Sequence, residues 1–250
     1  MKEFSDYFKR QAQGIEEFRT RDGRFYGSHE KNLSLHYYMK SRRRYRDSLL
    51  LAYPYLREGG RTILDLGGWE MGVLCRPLAS SVLCAALDAR VVELQETFRI
   101  PVESFDLMSP AFPLKGRRFD VVFFLEVLEH LPSPVDLVMN RLRGLMNPGG
   151  ILVLSLPNLA FWQKRIKFFL LGRSPLRLSD TRDSQEGYDH IRPYTYDECL
   201  TLFHRYGLEV KKSLSGNYQG GWYNYPFHCL ERFLPRLAHK LIFLLTRRTP

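Results

Sequence analysis

Residues 119–158, FDVVFFLEVLEHLPSPVDLVMNRLRGLMNPGGILVLSLPN, read as strand, helix, strand. Phe119 to Glu126 and Ile151 to Pro157 are apolar almost continuously rather than at alternate places. Strands apolar on both faces belong in a parallel sheet with helices packed on both sides. Between them Ser133 is placed to cap a helix and Pro134 suits its first turn. Val135, Val138, Met139, Leu142, Leu145 and Met146 then recur at helical spacing. Asn147-Pro148-Gly149-Gly150 is the expected stop.

The same pattern extends toward the N-terminus. TILDL (62–66), VLCAALD (82–88) and IPVESFD (100–106) are three more buried strands by the same criterion. A helix is expected from Ser34 to Leu56, within an N-terminal helical extension over 1–57 that packs on a main domain over 58–250. Beyond Pro157 a long connection, 158–193, is apolar and basic first and polar afterwards, which marks a lid or acceptor-binding insertion. TYDECLTLFHRYG (195–207) is a helix with Thr195 and Glu198 spaced as a capping box; Cys199, Leu202, Phe203 and Tyr206 lie on one face and Gly207 ends it. LEVKKSL (208–214) and KLIFLLT (240–246) are closing strands.

In a doubly wound sheet all parallel strands end at one edge, where ligands bind. Asp65, Asp88, Asp106 and Glu126 stand at the ends of the first four strands, so four acids are expected along one rim. A pyrophosphate would be repelled by such a rim. S-adenosylmethionine, with an ammonium, a sulfonium, two ribose hydroxyls and no phosphate, suits it. Asp88, 23 residues after Asp65, is at the distance where a second-strand acid receives ribose hydroxyls.

From Arg61 to Val210 the chain resembles the class I S-adenosylmethionine-dependent methyltransferases. EVLEHL, the NPGG turn and the closing PN within 119–158, and HIRPYTYDECLTLFHRYGLEV (190–210), are similar to segments of the group containing the ubiquinone-biosynthesis O-methyltransferases. The resemblance implies a Rossmann-like seven-stranded α/β sheet with helices on both faces. It implies that Asp65, Gly67 and the adjoining Gly68 hold the methionine part of S-adenosyl-L-methionine. Asp88 would take the ribose, Asp106 and Leu107 the adenine, and Leu125 and Glu126 would border the cofactor. The turn departs from D-x-G-x-G-x-G: Trp69 and Met71 replace two glycines, and Gly72 comes one place late.

Transfer of a methyl group to a hydroxyl needs alignment and a proton acceptor. His130, just after the fourth strand, is the first candidate and His190 the second, with Tyr188 and Tyr194 shaping the acceptor pocket. The favoured acceptor is a small or lipid-linked molecule such as a quinone precursor or glycan intermediate. Glu126, Glu129, His130 and His190 are also similar to the divalent-metal site of small-RNA 2′-O-methyltransferases, which gives a metal-assisted RNA enzyme as the alternative. A methyltransferase fold that only binds, its turn altered by Trp69 and Met71, is a third reading.

The remaining composition bounds where such a protein works. It has 250 residues, 44% hydrophobic, enough for a substantial core. Met1 to Arg10 carries charges where an export signal needs an apolar run, and no run approaches the ~18 apolar residues of a membrane span. Cys75, Cys84, Cys199 and Cys229 form no CxxC pair, so buried reduced thiols are expected in a cytoplasmic protein. The net charge of +10 gathers in KSRRRYR (40–46), KRIK (164–167) and Arg247-Arg248, either solvated helix faces or sites for phosphate and lipid headgroups. FWQKRIKFFLLGR (161–173), mixing aromatic and basic residues, suits either a packed lid helix or an interfacial one, and the segment around it, 159–173, is the expected peripheral contact with the inner face of a membrane. Contact with nucleic acid is the weaker expectation, since no base-stacking motif accompanies the basic residues.

Overall fold

A computed structural model describes residues 2–21, 35–85, 91–104, 106–131, 134–173, 190–216, 231 and 233–248. Seven strands form one sheet: β1 (Arg61–Leu66), β2 (Ala79–Ala85), β3 (Val102–Glu103), β4 (Phe119–Leu125), β5 (Met146–Pro157), β6 (Leu208–Gly216) and β7 (Lys240–Arg247). Their order is β3-β2-β1-β4-β5-β7-β6. The first five run parallel, and β7 is antiparallel to both β5 and β6.

Strand alternation divides the core. Ile63, Val121, Phe123, Ile151 and Val153 face one way and Leu64, Val122, Phe124, Leu152 and Leu154 the other, and each set lies in its own buried cluster. This is why the strand sequences lack polar alternation. On the first face lie α1 (Lys2–Arg21), α2 (Leu35–Leu56) and α3 (Glu70–Cys75). On the second lie α5 (Val135–Gly144) and α7 (Tyr196–Arg205); α4 (Val91–Phe98) and α6 (Trp162–Leu171) are the other α-helices among the described residues. Within α1, Phe4, Tyr7, Phe8, Ala12, Ile15 and Phe18 are buried at steps of three and four, a stripe that needs the sheet to cover it. Tyr7 donates to the Leu74 carbonyl at 2.5 Å, tying α1 to α3.

The local expectations are met unevenly. α7 carries the full capping box between Thr195 and Glu198, with Cys199, Leu202 and Phe203 buried. The helix expected to run through Met146 ends at Gly144, with Pro134 as its N-cap; Ser133 lies outside the described residues. The cause is competition for a carbonyl: Leu145 O accepts from Phe119 N of β4 at 2.8 Å, and Met146 already pairs with Phe119. Asn147–Gly150 is therefore the irregular lead-in of β5, not a helix stop. The third strand is short, Val102–Glu103, because Pro101 has no N–H to give a ladder. β2 begins at Ala79, earlier than expected, and its expected last three residues, 86–88, lie outside the described residues.

Candidate active site

At the end of β1 Asp65 is 3% exposed and accepts a hydrogen bond from Gly72 N at 3.0 Å. Burial pushes its carboxyl up to about 7, against the stabilising backbone donors, and neighbouring Glu70 adds to the rise. Gly67 takes φ +91°, a conformation that favours glycine, and a Cβ there would fall 2.3 Å from Val127 Cγ2. Gly68 lies beside the Asp65 and Glu70 carboxylates, 3.5 Å from the place of its missing Cβ.

Neither Trp69 nor Met71 enters this turn. Trp69 stacks on Phe98 (centroids 5.5 Å apart) and meets Phe18 edge-on at 5.7 Å, while Met71 is buried in the same cluster. α3 starts at Glu70, so the two replaced glycines belong to its entry, whose side chains point into the core. The close approach falls to Gly72, where a Cβ would lie 2.4 Å from Cys84 Sγ. A glycine one place late is the glycine this packing requires. The cradle of Gly67, Gly68 and Asp65 is thus bare backbone beside a buried acid, which fits the methionine end of S-adenosylmethionine.

Three cations not identified from sequence as site residues reach the turn and rim. Arg19 of α1 pairs with Glu70 at 2.5 Å, both side chains nearly buried, with its guanidinium 5.1 Å from the Trp69 ring centre. Arg44, from the KSRRRYR run on α2, lies 3.5 Å from Glu126 Oε2. Lys240 at the start of β7 also bonds Glu126, and Ser155 Oγ donates to its other oxygen at 3.0 Å. Burial alone would raise the Glu126 carboxyl, but Lys240 and Arg44 outweigh it and hold it low. Glu126, at φ +56°, is therefore an anchored carboxylate at the tip of β4. Its partners leave the carboxylate fixed between α2 and β7.

The other rim residues are dispersed. Leu125 is half-buried at the end of β4. Asp106 is exposed and accepts from its own Met108 N at 2.7 Å, and Leu107 is buried with its carbonyl taken by Arg141. Asp88 and Tyr188 lie outside the described residues. Tyr194 is buried at a bridge to Asn158.

Past β4, the single turn Leu128–His130 brings Glu129 inward. His130 Nε2 is 3.8 Å and His190 Nε2 4.0 Å from Glu129 Oε1, and the two imidazoles cross at 4.9 Å. The ligand atoms of all three lie within 4.8 Å of one another. Glu129 is fully buried, and neither of its oxygens receives a hydrogen bond among the described residues. Burial and the nearby Glu126 charge raise its carboxyl. The pairing of His130 with His190, 60 positions apart in sequence, is set by Arg192 N donating to the Glu129 carbonyl at 3.0 Å. Glu126, the fourth residue of the sequence-expected metal set, is instead committed to Lys240 and Arg44.

A family model described as a methyltransferase domain matches residues 36–213. The chain belongs to the methyltransferase domain family. It has that family's class I, Rossmann-like architecture, the fold of the S-adenosylmethionine-dependent methyltransferases. A ubiquinone biosynthesis O-methyltransferase of Brucella ovis is 32% identical over 107 residues, which are 40% of this chain and 42% of the relative. The chain thus matches less than half the length of that curated relative. Among solved structures, an S-adenosylmethionine-dependent methyltransferase from Clostridium acetobutylicum aligns with TM-score 0.56 at 12% identity, covering 86% of this chain and 97% of that one. The 1,6-didemethyltoxoflavin-N1-methyltransferase of Burkholderia thailandensis, solved with S-adenosylhomocysteine, aligns with TM-score 0.54 at 13% identity over 82% of this chain and 78% of its own. At such identities the likeness concerns the fold. No helix among the described residues is long and apolar enough to cross a membrane, and Cys75, Cys84 and Cys199 are buried and free, Cys229 lying outside the described residues.

Proposed function

We propose that this methyltransferase-family chain methylates a hydroxyl of a small or lipid-linked molecule, of the quinone-precursor or glycan-intermediate kind. The observation that carries this reading is the Glu129–His130–His190 cluster immediately beyond β4. S-adenosylmethionine, when bound, supplies an electrophilic methyl on a sulfonium. Asp65, Gly67 and Gly68 would hold its methionine end, with Asp88 and Asp106 the residues for ribose and adenine and Leu125 and Glu126 along its border. With an acceptor hydroxyl placed before that methyl, His130 Nε2 would take the hydroxyl proton as the methyl is transferred. His190 lies against His130 and Glu129 behind both, so the imidazolium formed meets a carboxyl group. The 32% identity to ubiquinone O-methyltransferases over 107 residues supports a phenolic acceptor.

A second reading rests on the same three groups. A fully buried carboxyl that has no hydrogen-bond partner among the described residues and faces two imidazoles has the donor set of a divalent cation site. In that reading Glu129, His130 and His190 would hold the ion, whose charge would ease the loss of a hydroxyl proton, and a ribose 2′-hydroxyl of RNA would be an acceptor.

Labelled methyl donor offered with phenolic acceptors, lipid extracts and RNA, with and without EDTA, separates the readings. The first expects transfer to phenols or lipids that EDTA leaves intact, and an His130→Ala variant with turnover reduced ~10²–10⁴-fold and unchanged S-adenosylhomocysteine affinity. Loss of transfer in EDTA, restored by Mn²⁺ or Mg²⁺, favours the second. No calorimetric heat with S-adenosylhomocysteine would leave only a binding protein of this fold.

A further inference from the structure

Helix α6 has a feature that methyl transfer does not use. It begins against the domain and ends away from it. Trp162 Nε1 donates to Glu231 Oε1 at 2.8 Å, and Arg165 Nε donates to the Ala160 carbonyl at 2.5 Å, fixing the first turn. None of its ten residues is buried, and the later turns project. Ile166, Phe168, Leu170 and Leu171 are 47 to 67% exposed and Phe169 86%. Two residues from the Glu231 anchor, Phe233 is 80% exposed, and Leu234 follows at 43%. Gly172, in the left-handed conformation, closes the helix.

The charges around these apolar residues decide among partners. Residues 159–173 contain Lys164, Arg165, Lys167 and Arg173 and no acid. A second copy would bring the same four cations against them. A polyanion without an apolar layer would leave the phenylalanines and leucines in water. An anionic bilayer satisfies both: its headgroups take the cations, and its acyl boundary takes the apolar side chains.

We infer that α6, with Phe233 and Leu234, is a docking element for anionic lipid bilayers. The long stems of Lys164 and Lys167 let their ammonium groups remain at headgroup level while Phe168 and Phe169 enter below. α6 follows β5, whose carboxyl end lies on the same sheet edge as Glu126 and the Glu129–His130–His190 cluster. Docking therefore brings that edge close to the lipid surface. The inference does not depend on the acceptor, since lipid binding is measured without turnover.

The test is cosedimentation of the full chain with phosphatidylcholine vesicles, with or without 30% phosphatidylglycerol. The expected result is binding to the anionic vesicles that weakens with salt. Phe168→Ser/Phe169→Ser should lower the partition coefficient at least about tenfold, as expected for withdrawing two phenyl rings from an apolar phase. Lys164→Gln/Lys167→Gln should reduce the preference for phosphatidylglycerol. Phe169→Ser alone, at the most exposed place, covers the case in which the double variant fails to fold. Equal binding by the wild type and Phe169→Ser overturns the inference. So does a wild type that ignores both vesicles, including one that forms a concentration-dependent dimer through α6 instead.

Discussion

Gly72→Ala tests the packing that replaces the missing glycines of the turn after β1. The added methyl would stand 2.4 Å from Cys84 Sγ and 3.2 Å from Val82 Cγ1, so β2 and α3 must part or a side chain must turn. Overpacking of this kind costs about 1–3 kcal/mol. Alanine in place of glycine in a helix returns up to about 1 kcal/mol. A net destabilisation of about 1–2 kcal/mol is expected, which in a chain of this size lowers Tm by roughly 2–8 °C. Urea denaturation at pH 7 reads it directly. The stronger measurement is the cycle with Cys84→Ala. That change alone opens a small cavity; combined with Gly72→Ala, it makes room for the new methyl. The double variant should be more stable than additivity predicts by about 1 kcal/mol or more. Because Gly72 N also holds Asp65, Gly72→Ala should weaken S-adenosylhomocysteine binding several-fold, with partial recovery in the double variant. Strict additivity, with an undisturbed melting temperature in the single variant, would refute the close approach.

Arg19→Met strands the buried Glu70 carboxylate and should cost about 3–5 kcal/mol, whereas Arg19→Met/Glu70→Gln should recover most of it in the same urea titrations. Asp65, raised to about 7, binds a proton in the folded chain that the unfolded chain has already lost above about pH 4. Its contribution to stability therefore falls as pH rises from about 4 to about 7 and is level above; Asp65→Asn should flatten that slope in melts across the range. The cofactor's ammonium favours the carboxylate, so calorimetry near pH 6 in buffers of differing ionisation heat should detect proton release on binding, and Asp65→Asn should abolish it. Thr195→Ala removes the capping box of α7 and should cost about 1 kcal/mol without altering cofactor affinity.

Most of the sheet was legible because β1, β4, β5 and β7 carry their own signature in nearly unbroken apolar runs, whereas β6 is mostly polar. The capping box of α7 was legible for the same reason, being contained within four residues. What escaped depends on contacts across the chain. Arg19 meets Glu70 51 positions away and Lys240 meets Glu126 across 114, and nothing local distinguishes either cation from a solvated one. The KSRRRYR run looked like one basic surface, yet Arg44 is buried against Glu126 while Arg43 remains partly exposed. Trp69 and Met71 looked like obstructions because the turn's pattern counts positions, whereas the start of α3 decides which way each side chain points. The buried stripe of α1 from Phe4 to Phe18 was not read from the sequence, and its meaning comes from the aromatic cluster that Phe18 completes with Trp69 and Phe98. Glu129, His130 and His190 were grouped from the sequence by resemblance and do meet; only Glu126, the fourth of that set, is drawn off by Arg44 and Lys240.

The ion pair between Arg19 and Glu70 couples the N-terminal helix to the turn after β1, so that on the proposed reading α1 is a working component of the methyl-donor site rather than a decoration on its periphery. Cleaving the chain ahead of α2, or displacing α1 with a bulky fusion partner, would be felt first as weakened donor affinity. Biochemists preparing this protein would do well to place affinity handles at the opposite terminus.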